Sequence, residues 1–298
     1  MKVLVSGSSG LIGTALVSAL RAAGHSPVRL VRSPAGLPGE ISWDIAANRL
    51  DPGSLTGVDA VVHLAGAGIA EHRWSDEYKR VILDSRVAGT ALLVRALTTM
   101  AVPPSVLVSG SAVGFYGDRG DEVLTEESSP GTGFLAEIAE AWEAAAVPAT
   151  AAGIRTVFLR TGLVLSATGG TLGRLAPLFR SGLGGKIGTG RQWWSWVTLL
   201  DEVQAIMHCL DAETVRGPTN VTAPNPVTNA EFTARLGSAL HRPTLVPVPV
   251  PALSLALGRE RARELVLASQ RVLPTALERS GYVFRHRVLA DALAALFP

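Results

Sequence analysis

Three glycines stand at the amino-terminal edge of the chain, spaced as Gly7-Ser-Ser-Gly10-Leu-Ile-Gly13. Each has a task if the segment holds a phosphate. Gly7 permits a tight turn, Gly10 lets the backbone approach a pyrophosphate, and Gly13 lets a helix pack closely on a strand. The first amides of the following helix, with its dipole, favour an anion. A glycine triplet alone is a turn found in any α/β protein. Its position between the apolar run Val3-Leu4-Val5 and the helically spaced apolar residues of 11–23 makes it a phosphate-binding loop.

The second informative residue is a cation. Dinucleotide sites for NAD usually place an acid after the second strand, where it accepts from both ribose hydroxyls. This chain reads Leu30-Val31-Arg32-Ser33, with no acid adjoining. A guanidinium pairs bidentately with a 2′-phosphate, so Arg32 predicts NADP(H) as cofactor. The plainer reading is a solvated arginine beside an undiscriminating ribose site.

These residues need a scaffold, and the pattern supplies an α/β one. Short apolar runs at 3–5, 28–31, 41–43, 60–65, 106–108 and 156–159 alternate with helical patterns at 11–23, 76–100 and 135–152. Such alternation implies βαβ units and a parallel sheet with helices on both faces. From about Thr161 the texture becomes glycine-rich and irregular over 166–191, then proline-rich over 243–251. Helices are expected near 201–211, 229–240, 252–269 and 287–296. We read residues 1–165 as a nucleotide-binding domain, to which segments near 195–225 return. Residues 166–298 form mainly a small C-terminal α+β substrate lobe.

Composition narrows the function classes. The 298 residues are 47% hydrophobic and 17% charged, which excludes a disordered or polyionic chain. Of 27 basic and 25 acidic residues, seven and four fall in the last 40, so the net charge of +2 lies in the tail. Arg259, Arg261 and Arg263 alternate there with Glu260 and Glu264, a solvated helix face more than a phosphate-tracking stripe. No nucleic-acid or membrane partner is expected, and the chain reads as soluble and cytoplasmic. The single Cys209 excludes an internal disulfide and a cysteine zinc site. No Ser-His-Asp order, paired-carboxylate spacing or His-rich motif appears, and no metal is expected.

The GxxGxxG spacing resembles the short-chain dehydrogenase/reductase superfamily, and further segments extend the likeness to its extended members. His63-Leu-Ala-Gly66 matches the segment beside the cofactor, Asp44-Ile45 the pair facing adenine, and Ser85 in Asp84-Ser-Arg-Val-Ala-Gly-Thr90 the place of a helix Asn in the extended Asn-x-x-Gly-Thr pattern. The resemblance implies an extended-type Rossmann fold. Its implied cofactor contacts are Gly7, Ser9, Gly10, Leu11, Ile12, Gly13, Arg32, Asp44, Leu64, Ala65, Gly66, Ser85, Ser109, Gly110 and Arg160. Asp44 equally reads as a turn cap, and His63 as a satisfied core histidine.

Ser109-Gly-Ser111-Ala-Val-Gly-Phe-Tyr116-Gly117 resembles the Ser-Ser…Tyr-Gly segment, which gives Ser111 the active-site serine position. Such enzymes add a YxxxK pair, whose tyrosine moves a proton and whose lysine lowers the tyrosine pKa. This chain has Leu135 and Ala139 there, and neither can move a proton. Tyr116 is the nearest phenol in sequence, with Glu71, His72, Lys79, Glu137 and Glu140 as further candidates. The departure, together with Ser-Trp43-Asp44, Trp142-Glu143, Gly182-Leu-Gly-Gly and Thr222-Ala-Pro-Asn-Pro-Val227, resembles the atypical epimerase-family (YfcH/SulA-like) proteins.

Gly188-Thr-Gly190-Arg-Gln192-Trp-Trp-Ser-Trp-Val197 has Trp194 where sugar-nucleotide enzymes place a pyrophosphate-clamping arginine. A sugar nucleotide is therefore a weaker expectation than an apolar or planar small molecule. The tryptophans equally suit packing. The expected activity is hydride transfer as an oxidoreductase or epimerase on a small molecule. The rival is a non-catalytic NADPH-binding sensor. Analogy to the superfamily implies a homodimer through helices 76–100 and 135–152.

Overall fold

A computed structural model describes residues 1–298. The chain divides into two compact units that interleave in sequence. The first comprises Met1–Ser111, Ile138–Leu159 and Val203–Thr219; the second comprises Ala112–Glu137, Arg160–Glu202 and Asn220–Pro298. The expected boundary at 165 is therefore corrected. Residues 112–137 leave the nucleotide-binding unit, and 203–219 return to it.

The seven principal strands are β1 (Lys2–Ser6), β2 (Ser26–Val31), β3 (Glu40–Ser42), β4 (Ala60–His63), β5 (Val106–Ala112), β6 (Arg155–Thr161) and β7 (Gly217–Val221). They form one sheet in the order β7-β6-β5-β4-β1-β2-β3. The β1–β2, β1–β4, β2–β3 and β4–β5 pairings are parallel. Val3–Val5, Ala60–Val62 and Val106–Val108 are fully buried, as a sheet covered on both faces requires. Leu4, Val61 and Leu107 pack with Leu92, Leu93 and Leu97 of α2 (Asp76–Thr98) and Ala146 and Ala149 of α3 (Phe134–Ala151). α1 (Leu11–Ala22) buries Leu16, Val17 and Leu20. Strand order reverses between β1 and β4, and such a switch point leaves a crevice at the carboxyl ends of the strands.

The second unit has its own core, in which Leu165, Leu172, Phe179, Trp196, Phe232 and Leu293 meet. Its helices include α4 (Gly170–Arg180), the start of α5 (Leu199–Asp211), α6 (Asn229–Ala239), α7 (Val250–Leu257) and α8 (Leu289–Leu296). α4 lies in the stretch read as loop. Leu172, Ala176 and Phe179 share one buried face, and that burial outweighs the poor helix propensity of Gly173 and Pro177. The helix expected over 252–269 is interrupted at Gly258, whose φ of +89° breaks the spiral, and helical turns resume over residues 259–267. No helix is long and apolar enough to cross a membrane.

Candidate functional site

The switch-point crevice is a cleft of about 530 Å³. Its floor is the loop Gly7–Gly10, its rim the end of β2 from Arg29 to Ser33, and its far wall Leu64–Ala67 with Ser85. Local sequence explains the floor. Gly7 has φ +66°, and a Cβ there would sit 2.8 Å from the Leu64 carbonyl. A Cβ on Gly13 would overlap the Gly7 carbonyl oxygen, so only glycine lets α1 start so close to β1. α1 begins without a side-chain cap or an acid in its first turn. α2 differs, since Ser75 accepts from Tyr78 N and Asp76 and Glu77 follow. Uncapped amides facing a cleft suit an anion.

The far wall is fixed from behind by three buried side chains. Ser6 Oγ accepts from Leu64 N (3.1 Å) and Ala65 N (3.2 Å) and lies 2.6 Å from His63 Nδ1. With both lone pairs engaged, the serine proton goes to Nδ1. The ring therefore carries its proton on Nε2, which donates to Thr90 Oγ1 at 3.0 Å. Burial pushes the His63 pKa down to about 4. It is a neutral strut, as the plainer sequence reading had it. Ser85 Oγ accepts from Ala67 N (2.9 Å) and donates to Ile82 O (3.0 Å), anchoring the next turn of the wall.

At the rim, Arg32 is exposed, lines the cleft and makes no ion pair. Arg29 and Glu40 face each other across β2 and β3, 3.2 Å apart, and Arg29 Nε donates to Ser8 Oγ at 3.2 Å. Glu40 is an acid on the cleft, but both of its oxygens are engaged. Oε1 meets Arg29, and Oε2 accepts from Gly36 N and Leu37 N.

Several sequence-predicted residues sit elsewhere. Asp44 does not line the cleft; its carboxylate accepts from Ala47 N (2.9 Å) and pairs with Arg49, while Trp43 and Ile45 line the cleft on either side of it. Leu11 and Ile12 are half-buried in the first turn of α1, outside the lining. Ser109 is buried in β5, and Gly110 lies under Trp142, where a Cβ would come within 2.7 Å of the indole. Arg160 is buried on the Phe115 ring (3.4 Å to its centroid) and donates to Tyr116 Oη at 3.0 Å. It faces aromatic neighbours, not the cleft.

Tyr116 itself is corrected as a proton-transfer candidate. It is 0% exposed, donates to Asn220 Oδ1 at 2.7 Å and has its pKa raised by burial. A phenol sealed and bonded in this way has no access to a substrate. Ser111 is better placed, donating to Glu143 Oε1 at 2.7 Å. Of the tryptophans, Trp196 is buried, Trp194 packs edge-on to Phe232, and Trp193 donates to Asp121 with Arg271 over its ring.

Sequence reasoning missed Ser6, Thr90, Arg29, Glu40 and Arg86. A charged residue inside the strand Val28-Arg29-Leu30 was a usable signal, because a polar group there needs a partner. The Ser6–His63–Thr90 chain spans 57 and 27 residues and leaves no local trace.

Residues 3–222 match the NAD dependent epimerase/dehydratase family, and residues 248–296 match a domain of unknown function, DUF1731. An epimerase family protein of Mycobacterium bovis is 46% identical over 291 residues, spanning 98% of this chain and 96% of its own. The crystal structure of human epimerase family protein SDR39U1 (isoform 2) with NADPH has a TM-score of 0.90 at 35% identity, over 99% of each chain. That of a nucleoside-diphosphate sugar epimerase from Corynebacterium glutamicum has a TM-score of 0.83 at 38% identity, over all of this chain and 58% of that one.

Proposed function

This chain belongs to the NAD-dependent epimerase/dehydratase family, and from that premise we propose that it binds NADP(H) and acts as an atypical oxidoreductase or epimerase on a small molecule. When bound, the cofactor supplies the hydride chemistry. The chain binds and orients it. The Gly7–Gly10 loop and the open amides of α1 take the pyrophosphate, Leu64–Gly66 and Ser85 form the wall along the cofactor, and Arg32 takes the 2′-phosphate. The glycine floor fits such a group, because a Cβ at Gly7 or Gly13 would collide with backbone.

The observation that carries the NADP(H) assignment is the pairing state of the rim. Arg32 is unpaired, whereas the nearby acid Glu40 is already engaged by Arg29 and two amides. The rim therefore has a phosphate donor to spare, while its acid is committed to a cation and two amides. Replacing Arg32 with Ala is expected to weaken NADPH binding by about tenfold or more, the worth of a charge-assisted hydrogen bond. NADH binding should change little; equal losses for both cofactors would sink the assignment.

Ser111, fixed by Glu143, is the retained hydroxyl of the Ser-Tyr-Lys set and contacts the substrate in this reading. A second reading has support as well. Leu135 and Ala139 stand where the superfamily has its tyrosine and lysine, and Tyr116 is sealed. These favour a non-catalytic NADPH sensor. Incubation with NADPH and a panel of aldehydes and ketones separates the two, since consumption supports the enzyme and tight binding without turnover supports the sensor.

A further inference from the structure

Arg86 follows Ser85 on α2 and presses against the turn after β4. Its Nη1 donates to Ala67 O (3.0 Å) and Ile82 O (3.1 Å). Its Cζ would lie 3.0 Å from a Cβ on Gly66, and it stands 5.0 Å over the Trp142 ring. Burial pulls its pKa down to about 10, with the Tyr78 phenol pushing the other way, so the group stays charged at neutral pH. No carboxylate pairs with it.

Arg86 is half-buried, and the two carbonyl dipoles replace only part of the hydration that its guanidinium gives up. Both carbonyls fall on one nitrogen, leaving most of the five N–H donors unspent. Nε and Nη2 have no partner, yet neither is sealed from solvent. Beneath the guanidinium, Trp142 Nε1–H is buried with no acceptor. The same indole packs on Gly110, and the next residue in α3, Glu143, holds Ser111. Adjacent residues of α3 thus serve both groups, Trp142 lying under Arg86 and Glu143 holding Ser111. Clamping the Ala67 carbonyl alone would need a single nitrogen, which a lysine provides; a forked, planar donor suits an oxyanion.

We infer that Arg86 anchors an oxyanion, a carboxylate or a phosphate monoester, borne by the small molecule that is handled beside Ser111. The inference rests on the enzyme reading above and sharpens its substrate class from any carbonyl compound to an anionic one.

The test uses the full chain saturated with NADPH, titrated separately with inorganic phosphate and with malonate. One readout is the fluorescence of bound NADPH. The other is phenylglyoxal modification, followed at the Arg86 peptide by mass spectrometry. One anion is expected to saturate and to slow Arg86 modification; phosphate doing so indicates a phosphate monoester, malonate a carboxylate. Arg86→Met should weaken that anion by about tenfold, leave NADPH affinity within about twofold, and be partly rescued in Arg86→Lys. The inference is overturned if neither anion protects Arg86 while NADPH binds tightly. It is also overturned if NADPH alone protects Arg86 and Arg86→Met loses NADPH, which would assign the guanidinium to the cofactor. Absence of NADPH binding defeats the enzyme reading separately, and protection of Arg86 by an anion in the free protein then decides this one. The modification arm needs no variant, so a poorly folding Arg86→Met leaves the result intact.

Discussion

The Ser111 hydroxyl donates to Glu143 Oε1 across 2.7 Å, between two buried side chains. The pair joins the end of β5 to the middle of α3, so it fixes the serine rotamer from a helix whose buried face is otherwise apolar. Removing Glu143 leaves a buried hydroxyl without its acceptor, at a cost of roughly 1–3 kcal/mol. In a double-mutant cycle with Ser111→Ala and Glu143→Ala, urea unfolding should show a coupling of about 1–2 kcal/mol. Additive single effects would mean that the contact does not stabilise the protein.

His63 predicts behaviour on the acid side. Its folded pKa of about 4 lies below the ordinary 6.5, so the unfolded chain takes up the proton first as pH falls. The stability that it contributes is present above pH 6.5 and is lost as pH falls through about 4. Ring nitrogen shifts followed by NMR should report a neutral, Nε2-protonated imidazole down to about that pH. A midpoint near 6.5 would refute the strut.

Glu202 predicts the opposite slope. Its carboxyl is fully buried, Oε1 accepts from Thr161 Oγ1 at 2.9 Å, Oε2 has no partner, and burial pushes the pKa up from 4.5 to about 8. A raised acid favours the folded state while protonated. That stability is complete below pH 4.5 and is lost as pH rises through about 8. The expected slope in this window is about 1.4 kcal/mol per pH unit. Glu202→Gln should flatten it in urea titrations run across the window; an unchanged slope would place the loss in other groups.

Gly10 and Gly13 separate binding from packing. A Cβ on Gly13 would stand 2.8 Å from the Gly7 carbonyl carbon and from Ser8 Cα, so Gly13→Ala must displace α1. A loss of roughly 1–3 kcal/mol is expected, with NADPH affinity falling alongside. At Gly10 the nearest atom to a Cβ is 3.4 Å away, an ordinary contact. Gly10→Ala should therefore melt like the parent and still lose NADPH, as isothermal titration beside thermal unfolding would reveal.

Much of the first unit was legible because its signals are local. Val3-Leu4-Val5, the glycine spacing and the period of 76–100 each fall within one element, and Arg32 was placed by its distance from a strand end. Asp44 and Arg160 were misplaced for a common reason. Their types suit a ligand, but Asp44 finds an amide three residues on, and Arg160 finds Phe115 and Tyr116 some 44 positions back. The turn-cap reading of Asp44 was open to the sequence, whereas no spacing rule sees the partners of Arg160. α4 was hidden because Gly173 and Pro177 mask a face that only the second unit's core defines.

The interleaving of the two units bears on how the protein is made. The chain passes from one unit to the other at 111/112, 137/138, 159/160, 202/203 and 219/220. A nascent chain of about half length has β1–β5 but lacks β7 and the part of α5 whose carbonyls, at Cys209 and Leu210, are held by Arg155. Neither unit can therefore close on the ribosome before residue 219 has emerged, and most native contacts join distant segments, which slows folding. Cutting at 165 would release no free nucleotide-binding module, only two chains that must find each other, so a gene fusion is tolerated at a terminus sooner than an insertion or cut at the apparent lobe boundary.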